Sequence, residues 1–262
     1  MTRAGLRTRA YRAAARLPDD LRRRLPERAM AGGPLRIAGG LAVGLRMQPP
    51  PLAHIQLYGL LHGDLETGVQ EALRRHVRPG DVVYDIGANL GFMTLVAARL
   101  GARVEAFEPL PESAAAVRRS AALNGFTDVR VHELAVAARS GRARFLRVDE
   151  GSWSHLADRG RHVRTTGELD VRVVALDDLR GELAPPAVVK VDVEGSELAV
   201  LAGAAALLAD ARPVLIVETH ETNAEVAAAL EAAGYEISNL DGPLPVRDAG
   251  PTHVLALPRR DA

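Results

Sequence analysis

The sequence predicts an α/β fold: a doubly wound, mostly parallel seven-stranded sheet with an N-terminal helical extension. Three observations predict it. From about residue 65 onward, short β-branched runs alternate with helical runs. The run Val82-Val83-Tyr84-Asp85-Ile86 enters a glycine turn that opens a helix, the arrangement that forms ligand crevices in open α/β sheets. The composition is 47% apolar but only 3% aromatic, so the core must be aliphatic.

Taken in order, residues 1–30 hold nine Arg against Asp19, Asp20 and Glu27, a net charge of +6. Pro18 and Pro26 divide them into short helical pieces. This arm reads as a solvated or partner-docking segment, with contact to an anionic surface as the second reading. Residues 31–63 are rich in Gly and Pro. Leu35–Ile37 and Leu41–Met47 are candidate short strands, which would either pair across a homodimer or cap the sheet. Asp64 is placed as the N-cap of a helix over Leu65–Val77, ended by Pro79-Gly80. The extension is therefore set at residues 1–64 and the main domain at 65–262.

Within the domain, strands are expected at Val82–Ile86, Arg103–Phe107, Val129–His132, Arg142–Val148 and Val171–Val174, then at Ala187–Val193, Val214–Glu218, Tyr235–Ser238 and His253–Leu257. Helices are expected at Phe92–Leu100, Pro111–Asn124, Glu194–Leu208 and Glu221–Ala233, the second with Pro near its start. Residues 149–170 read as a polar loop or lid, in which Gly151-Ser152-Trp153-Ser154-His155 carries the only Trp. The last two strands lack a crossover helix, so they should pair antiparallel at one edge.

Composition excludes several classes. With no Cys there is no disulfide, thiolate nucleophile or Cys-based zinc site. The 33 basic and 33 acidic residues cancel, which argues against a general nucleic-acid binder. No apolar run approaches the ~18–20 residues of a membrane span, and Arg interrupts every apolar stretch from Met1 to Met30. A cytoplasmic protein without a membrane span is expected.

The strongest motif is Asp85-Ile86-Gly87-Ala88-Asn89-Leu90-Gly91. Gly87 permits a tight turn, Gly91 permits close helix–sheet packing, and the amides of Ala88 and Asn89 stand near a helix start. The order G-A-N-x-G is not the dinucleotide fingerprint G-x-G-x-x-G. Asp85 would be unwelcome beside a pyrophosphate but welcome beside the ammonium of a methionine moiety. Glu108-Pro109 ends the second strand 23 residues beyond Asp85, where a carboxylate can accept both ribose hydroxyls. Glu133, after the third strand, is placed at the adenine edge.

A second cluster is Lys190-Val191-Asp192-Val193-Glu194-Gly195-Ser196-Glu197, which holds the only Lys of the chain. Strand alternation puts Lys190, Asp192 and Glu194 on one side, a costly concentration of charge unless it is solvated or used. Glu197 is assigned to a helix-start charge favoured by the macrodipole.

D-I-G-A-N-L-G, F-E-P, K-V-D-V-E-G-S-E-L-A-V-L-A-G-A and P-V-L-I-V-E-T-H, in that order, resemble the FkbM-type methyltransferases from about residue 65 to about 240. The resemblance implies a class I methyltransferase fold, S-adenosyl-L-methionine as cofactor and O-methylation of a small-molecule hydroxyl on a sugar, a polyketide or another secondary metabolite. An aliphatic hydroxyl loses its proton during attack, so a base or a metal helps. Asp192 is the first candidate base and His220 the second, followed by Glu194 and Glu218; Lys190 would pair a carboxylate or contact the acceptor. No residue is assigned to a metal outright, although Asp192 with Glu218 or His220 offers ligands suited to Mg2+. Three rivals stand beside this reading. A nucleic-acid N-methyltransferase would carry Asn/Asp-Pro-Pro-aromatic where this chain has Asp192-Val193-Glu194-Gly195. A nicotinamide oxidoreductase would need the missing fingerprint. A catalytically idle scaffold would bind cofactor without turnover.

Overall fold

A computed structural model describes residues 34–48, 62–148, 155–156 and 165–259. The segment 1–33 and the Trp153 lid residue lie outside the described residues.

The chain opens with a small hairpin, β1 (Leu35–Arg36) and β2 (Arg46–Met47). Helix α1 (Thr67–His76) leads into β3 (Val82–Ile86), α2 (Phe92–Arg99), β4 (Arg103–Phe107), α3 (Pro111–Leu123) and β5 (Val129–His132). A lateral sheet follows, made of β6 (Ala135–Val136), β7 (Gly141–Val148), β8 (His155–Leu156) and β9 (Thr165–Val174). The chain re-enters the main sheet at β10 (Val188–Val191), then runs through α4 (Glu197–Ala202), α5 (Ala205–Ala211), β11 (Val214–Thr219), α6 (Asn223–Ala232), β12 (Tyr235–Asn239) and β13 (Thr252–Pro258).

The main sheet has seven strands in the order β12-β13-β11-β10-β3-β4-β5. Six run in one direction, and β13 alone runs antiparallel, to both β11 and β12, as the missing crossover helix requires. The order reverses between β3 and β10. That switch point opens a crevice at the carboxyl ends of these two strands.

Central strands of a parallel sheet are covered on both faces, so they read as continuous apolar runs. All five residues of β3 and all four of β10 are buried. Alternation sends Val83, Val104, Val188 and Ile216 toward α1, α2 and α3, and Tyr84, Ile86, Val189, Val191 and Leu215 toward α4, α5 and α6. Burying one such aliphatic side chain is worth about 1.5–3 kcal/mol. The β1–β2 hairpin adds Ile37, Leu45 and Met47 to the first of these cores, and the Arg46 and Gln48 amides bond to Asn124 and Ser120 of the α3 region. Residues 34–48 thus pack into the main body.

Several elements differ from the sequence-based expectation. Residues 41–44 form a turn, and only Arg46–Met47 is strand. Helix α1 begins at Thr67 after a left-handed Glu66, without a side-chain cap, so Asp64 is not its N-cap. The turn before it is held by Gln70, whose amide donates to the Gly63 and Leu65 carbonyls. The expected helix Glu194–Leu208 is two helices. They part at Gly203, where a Cβ would meet the Ala137 carbonyl oxygen at 2.1 Å, so a neighbouring backbone occupies the space a side chain would need. Part of the expected loop 149–170 is strand: β9 begins at Thr165 and pairs antiparallel with β7 from Val148 to Gly141. Its outward residues are charged, as in the Arg142–Asp170 pair at 2.7 Å, while Val171 and Val173 face a small core with Phe145.

Candidate active site

The glycine turn is shaped by the backbone around it. The N–H groups of Gly87 and Ala88 both donate to the Phe107 carbonyl, and the Asp192 N–H donates to that of Ile86. Gly87 sits at φ +76, and a Cβ there would lie 1.7 Å from the Asp192 carbonyl oxygen. No other residue fits at that approach. The turn therefore brings the tips of β3 and β10 into contact.

Glu108 extends from the tip of β4 and is 5% exposed. Its Oε2 accepts the Asn89 N–H and its Oε1 the Leu110 N–H, both at 2.8 Å. Each oxygen keeps lone-pair capacity for one more donor. Burial pushes its pKa up to about 7 against the pull of these two amides. A cleft opens beside it, lined among others by Gly87, Asn89, Glu108, Pro109, Asp192 and Glu194. A pair of ribose-like hydroxyls fits the free acceptor positions of Glu108, and Phe107, Val136 and Phe145 supply an apolar wall.

Asp85 lies under the turn and does not line the cleft. It is 1% exposed, its Oδ2 accepts the Thr94 hydroxyl at 2.5 Å, and its Oδ1 stands 3.5 Å from Lys190 Nζ. Lys190 is its direct neighbour across the β3–β10 register. The ammonium also donates to the Gly87 carbonyl at 3.3 Å and to Asp192 Oδ2 at 3.2 Å. Burial opposes its charge, but Asp192 and Asp85 raise its pKa, so Lys190 stays protonated. The only lysine of the chain ties the turn to both strand tips.

Gly91 starts α2, close against Val117. Glu133 stands on the surface, paired with Arg118 at 3.2 Å, and does not line the cleft.

Beyond Asp192 the backbone turns through Glu194 at φ +52 and Gly195 at φ +98. This brings Glu194 to His220, whose Nε2 lies 3.4 Å from Glu194 Oε2 and 3.5 Å from Glu218 Oε1. His220 Nδ1 contacts Glu197 Oε1 at 2.9 Å. Burial disfavours its charge, yet the Glu197 hydrogen bond and the surrounding carboxylates raise its pKa to about 9. The raised pKa favours the cationic form of His220 near neutral pH. Asp192 is raised, chiefly by burial and against the attraction of Lys190.

Glu197 is the residue whose partners sequence reasoning missed. It is fully buried and accepts from the Gly195 N–H and the Thr222 hydroxyl as well as contacting His220. It opens α4, as the macrodipole reading expects, and is in addition a buried hub. Its signal was spread over partners 23 and 25 residues away, which local spacing does not reveal.

The cleft thus gathers the carboxylates of Glu108, Asp192 and Glu194 around one space, with His220 beside Glu194. Among the described residues, no helix is long and apolar enough to cross a membrane.

Residues 85–237 match the family described as "Methyltransferase FkbM domain". The chain is 31% identical over 202 residues to 31-O-demethyl-FK506 methyltransferase FkbM of Streptomyces tacrolimicus, covering 64% of this chain and 77% of that protein. It is 32% identical over 158 residues to hexuronic acid methyltransferase AglP of Haloferax volcanii, covering 59% of this chain and 62% of that protein. Among solved structures, methyltransferase FkbM from Methylobacillus flagellatus superposes with a TM-score of 0.47 at 21% identity, over 78% of this chain and 56% of that one.

Proposed function

We propose, from the premise that this chain belongs to the FkbM family of S-adenosylmethionine-dependent methyltransferases, that it methylates a hydroxyl of a small molecule. S-adenosylmethionine supplies an electrophilic methyl group and leaves as a neutral thioether, so one O–CH3 bond forms, one S–CH3 bond breaks and the hydroxyl proton must go to the protein or solvent. Glu108 holds the ribose hydroxyls, and the Gly87–Asn89 turn borders the cleft beside it. Asp192 takes the proton. The observation that carries this reading is that Asp192 and Glu108 line one cleft, with Lys190 fixing one of the Asp192 oxygens at 3.2 Å.

Burial raises the pKa of Asp192 and so makes its carboxylate a stronger proton acceptor, while Lys190 keeps it ionised. His220, held cationic by Glu197, supplies positive charge beside the oxygen that loses its proton. Asp192, Glu194 and His220 bring ligand atoms within 4.8 Å of one another, but a protonated His220 has no lone pair to offer a metal ion. The Lys190 ammonium on Asp192 favours the proton role. Two relatives, named as a 31-O-demethyl-FK506 methyltransferase and a hexuronic acid methyltransferase, support a hydroxyl-bearing small-molecule acceptor. The test is methyl transfer from labelled S-adenosylmethionine to a panel of such hydroxyl compounds. Label appearing in an ether supports the reading; label appearing only on amines overturns it.

A further inference from the structure

Glu218 has a second imidazole partner on its other side. Strand register sets His253 of β13 directly beside Glu218 of β11, and alternation sends both toward the start of α1. There Glu66, in a left-handed conformation at φ +47, turns its carboxylate onto the same spot. His253 Nε2 lies 3.5 Å from Glu218 Oε2 and 3.8 Å from Glu66 Oε2.

These separations are long for hydrogen bonds. They are close to the about 3.4 Å that separates tetrahedral ligands set about 2.1 Å from one metal ion. Glu66 Oε2 and His253 Nε2 are both sealed from solvent and have no hydrogen-bond partner. At these distances the two atoms face each other and Glu218 only as a loose ion pair, without a close hydrogen bond.

The far side of the imidazole is anchored. His253 Nδ1 meets Asp241 Oδ2 at 2.8 Å, and the same oxygen accepts the His253 N–H at 2.7 Å and the Thr252 hydroxyl at 3.1 Å. A carboxylate on one imidazole nitrogen that aims the other is the usual support of a metal-ligating histidine. Lys190, the only lysine of the chain, pairs with Asp85 and Asp192, and its charge also acts on Glu66 and Glu218 without contacting them in an ion pair.

We propose that Glu66, Glu218 and His253 bind one divalent first-row cation, with Asp241 orienting the imidazole. One nitrogen and two carboxylate ligands suit Zn2+ or Mn2+ better than Mg2+. Glu66, Asp241 and His253 lie outside residues 85–237, so parts of the chain flanking the matched domain build this site. Through Glu218, which also faces His220, the ion adjoins the acceptor side of the cleft and would polarise an acceptor oxygen there. That role rests on the methyl-transfer reading; ion binding does not.

The test is titration of the chelator-stripped full chain with Zn2+ by calorimetry and with Mn2+ by electron paramagnetic resonance. S-adenosylhomocysteine binding is measured on the same samples, so that failure of the cofactor site registers separately. One equivalent of at least one ion should bind. Glu66→Gln and His253→Gln should each weaken it at least tenfold, Asp241→Asn several-fold, and none should change S-adenosylhomocysteine affinity more than twofold. Glu66 is partly exposed at a helix start and belongs to no strand, so its variant should fold even where the His253 variant does not. Absence of binding by both ions, or affinity retained in Glu66→Gln, would overturn the site.

Discussion

Glu197 Oε1 and His220 Nδ1 meet at 2.9 Å in a fully buried contact that joins the start of α4 to the tip of β11. The carboxylate accepts, so Nδ1 carries hydrogen and Nε2 is turned toward Glu194 and Glu218. Glu197→Gln should lower stability by about 1–3 kcal/mol. It should also cut kcat at least tenfold while leaving cofactor affinity unchanged. The sign of its pH dependence follows from His220. A pKa raised from 6.5 to about 9 gives stability that is complete below 6.5 and lost as pH rises through 9. The stability gap between wild type and variant, read by denaturant titration, should therefore shrink from pH 6.5 to 9.

Asp192→Asn keeps the volume of the side chain and removes its basicity. Cofactor binding should persist, and turnover should fall by about 10²-fold or more, the usual scale of a lost general base. Single-turnover methyl transfer checks this. Full activity would remove Asp192 from the proton path.

Much of the site was legible because it sits where apolar runs stop. β3, β4, β10 and β11 are largely buried strands, and the ends of β3, β4 and β10 place Asp85, Glu108 and Asp192. β9 was only partly legible, since its outward Glu168 and Asp170 make it read as loop. Asp85 was visible as a motif residue, but only the structure shows it beneath the turn on Thr94 and Lys190. Glu66 and His253 stand 187 residues apart, and strand register with the α1 approach brings them together. No local pattern encodes that meeting.

Glu108 gives a second pH effect of known direction. Its raised pKa, from 4.5 to about 7, means the ligand-free site holds a proton that stabilises it below pH 4.5 and is lost through pH 7. The ionised form is the one that accepts both ribose hydroxyls. Affinity for S-adenosylhomocysteine should therefore rise from pH 6 to 8, and Glu108→Gln should flatten that rise and weaken binding by about 1–3 kcal/mol.

Gly87→Ala forces a side chain into a left-handed turn and against the Asp192 carbonyl. The backbone term alone is about 1–2 kcal/mol, and the contact adds to it. The β3 and β10 tips should separate, with a lower Tm and loss of cofactor binding. A variant with unchanged Tm and affinity would show that the two strand tips need not touch.

Calorimetric titration of the folded full chain with S-adenosylhomocysteine tests the central claim most directly. The expected result is a single site of about micromolar affinity that Glu108→Ala weakens at least tenfold. A folded protein that takes up no S-adenosylhomocysteine, or binds it equally well without the Glu108 carboxylate, would contradict the assignment of the cleft.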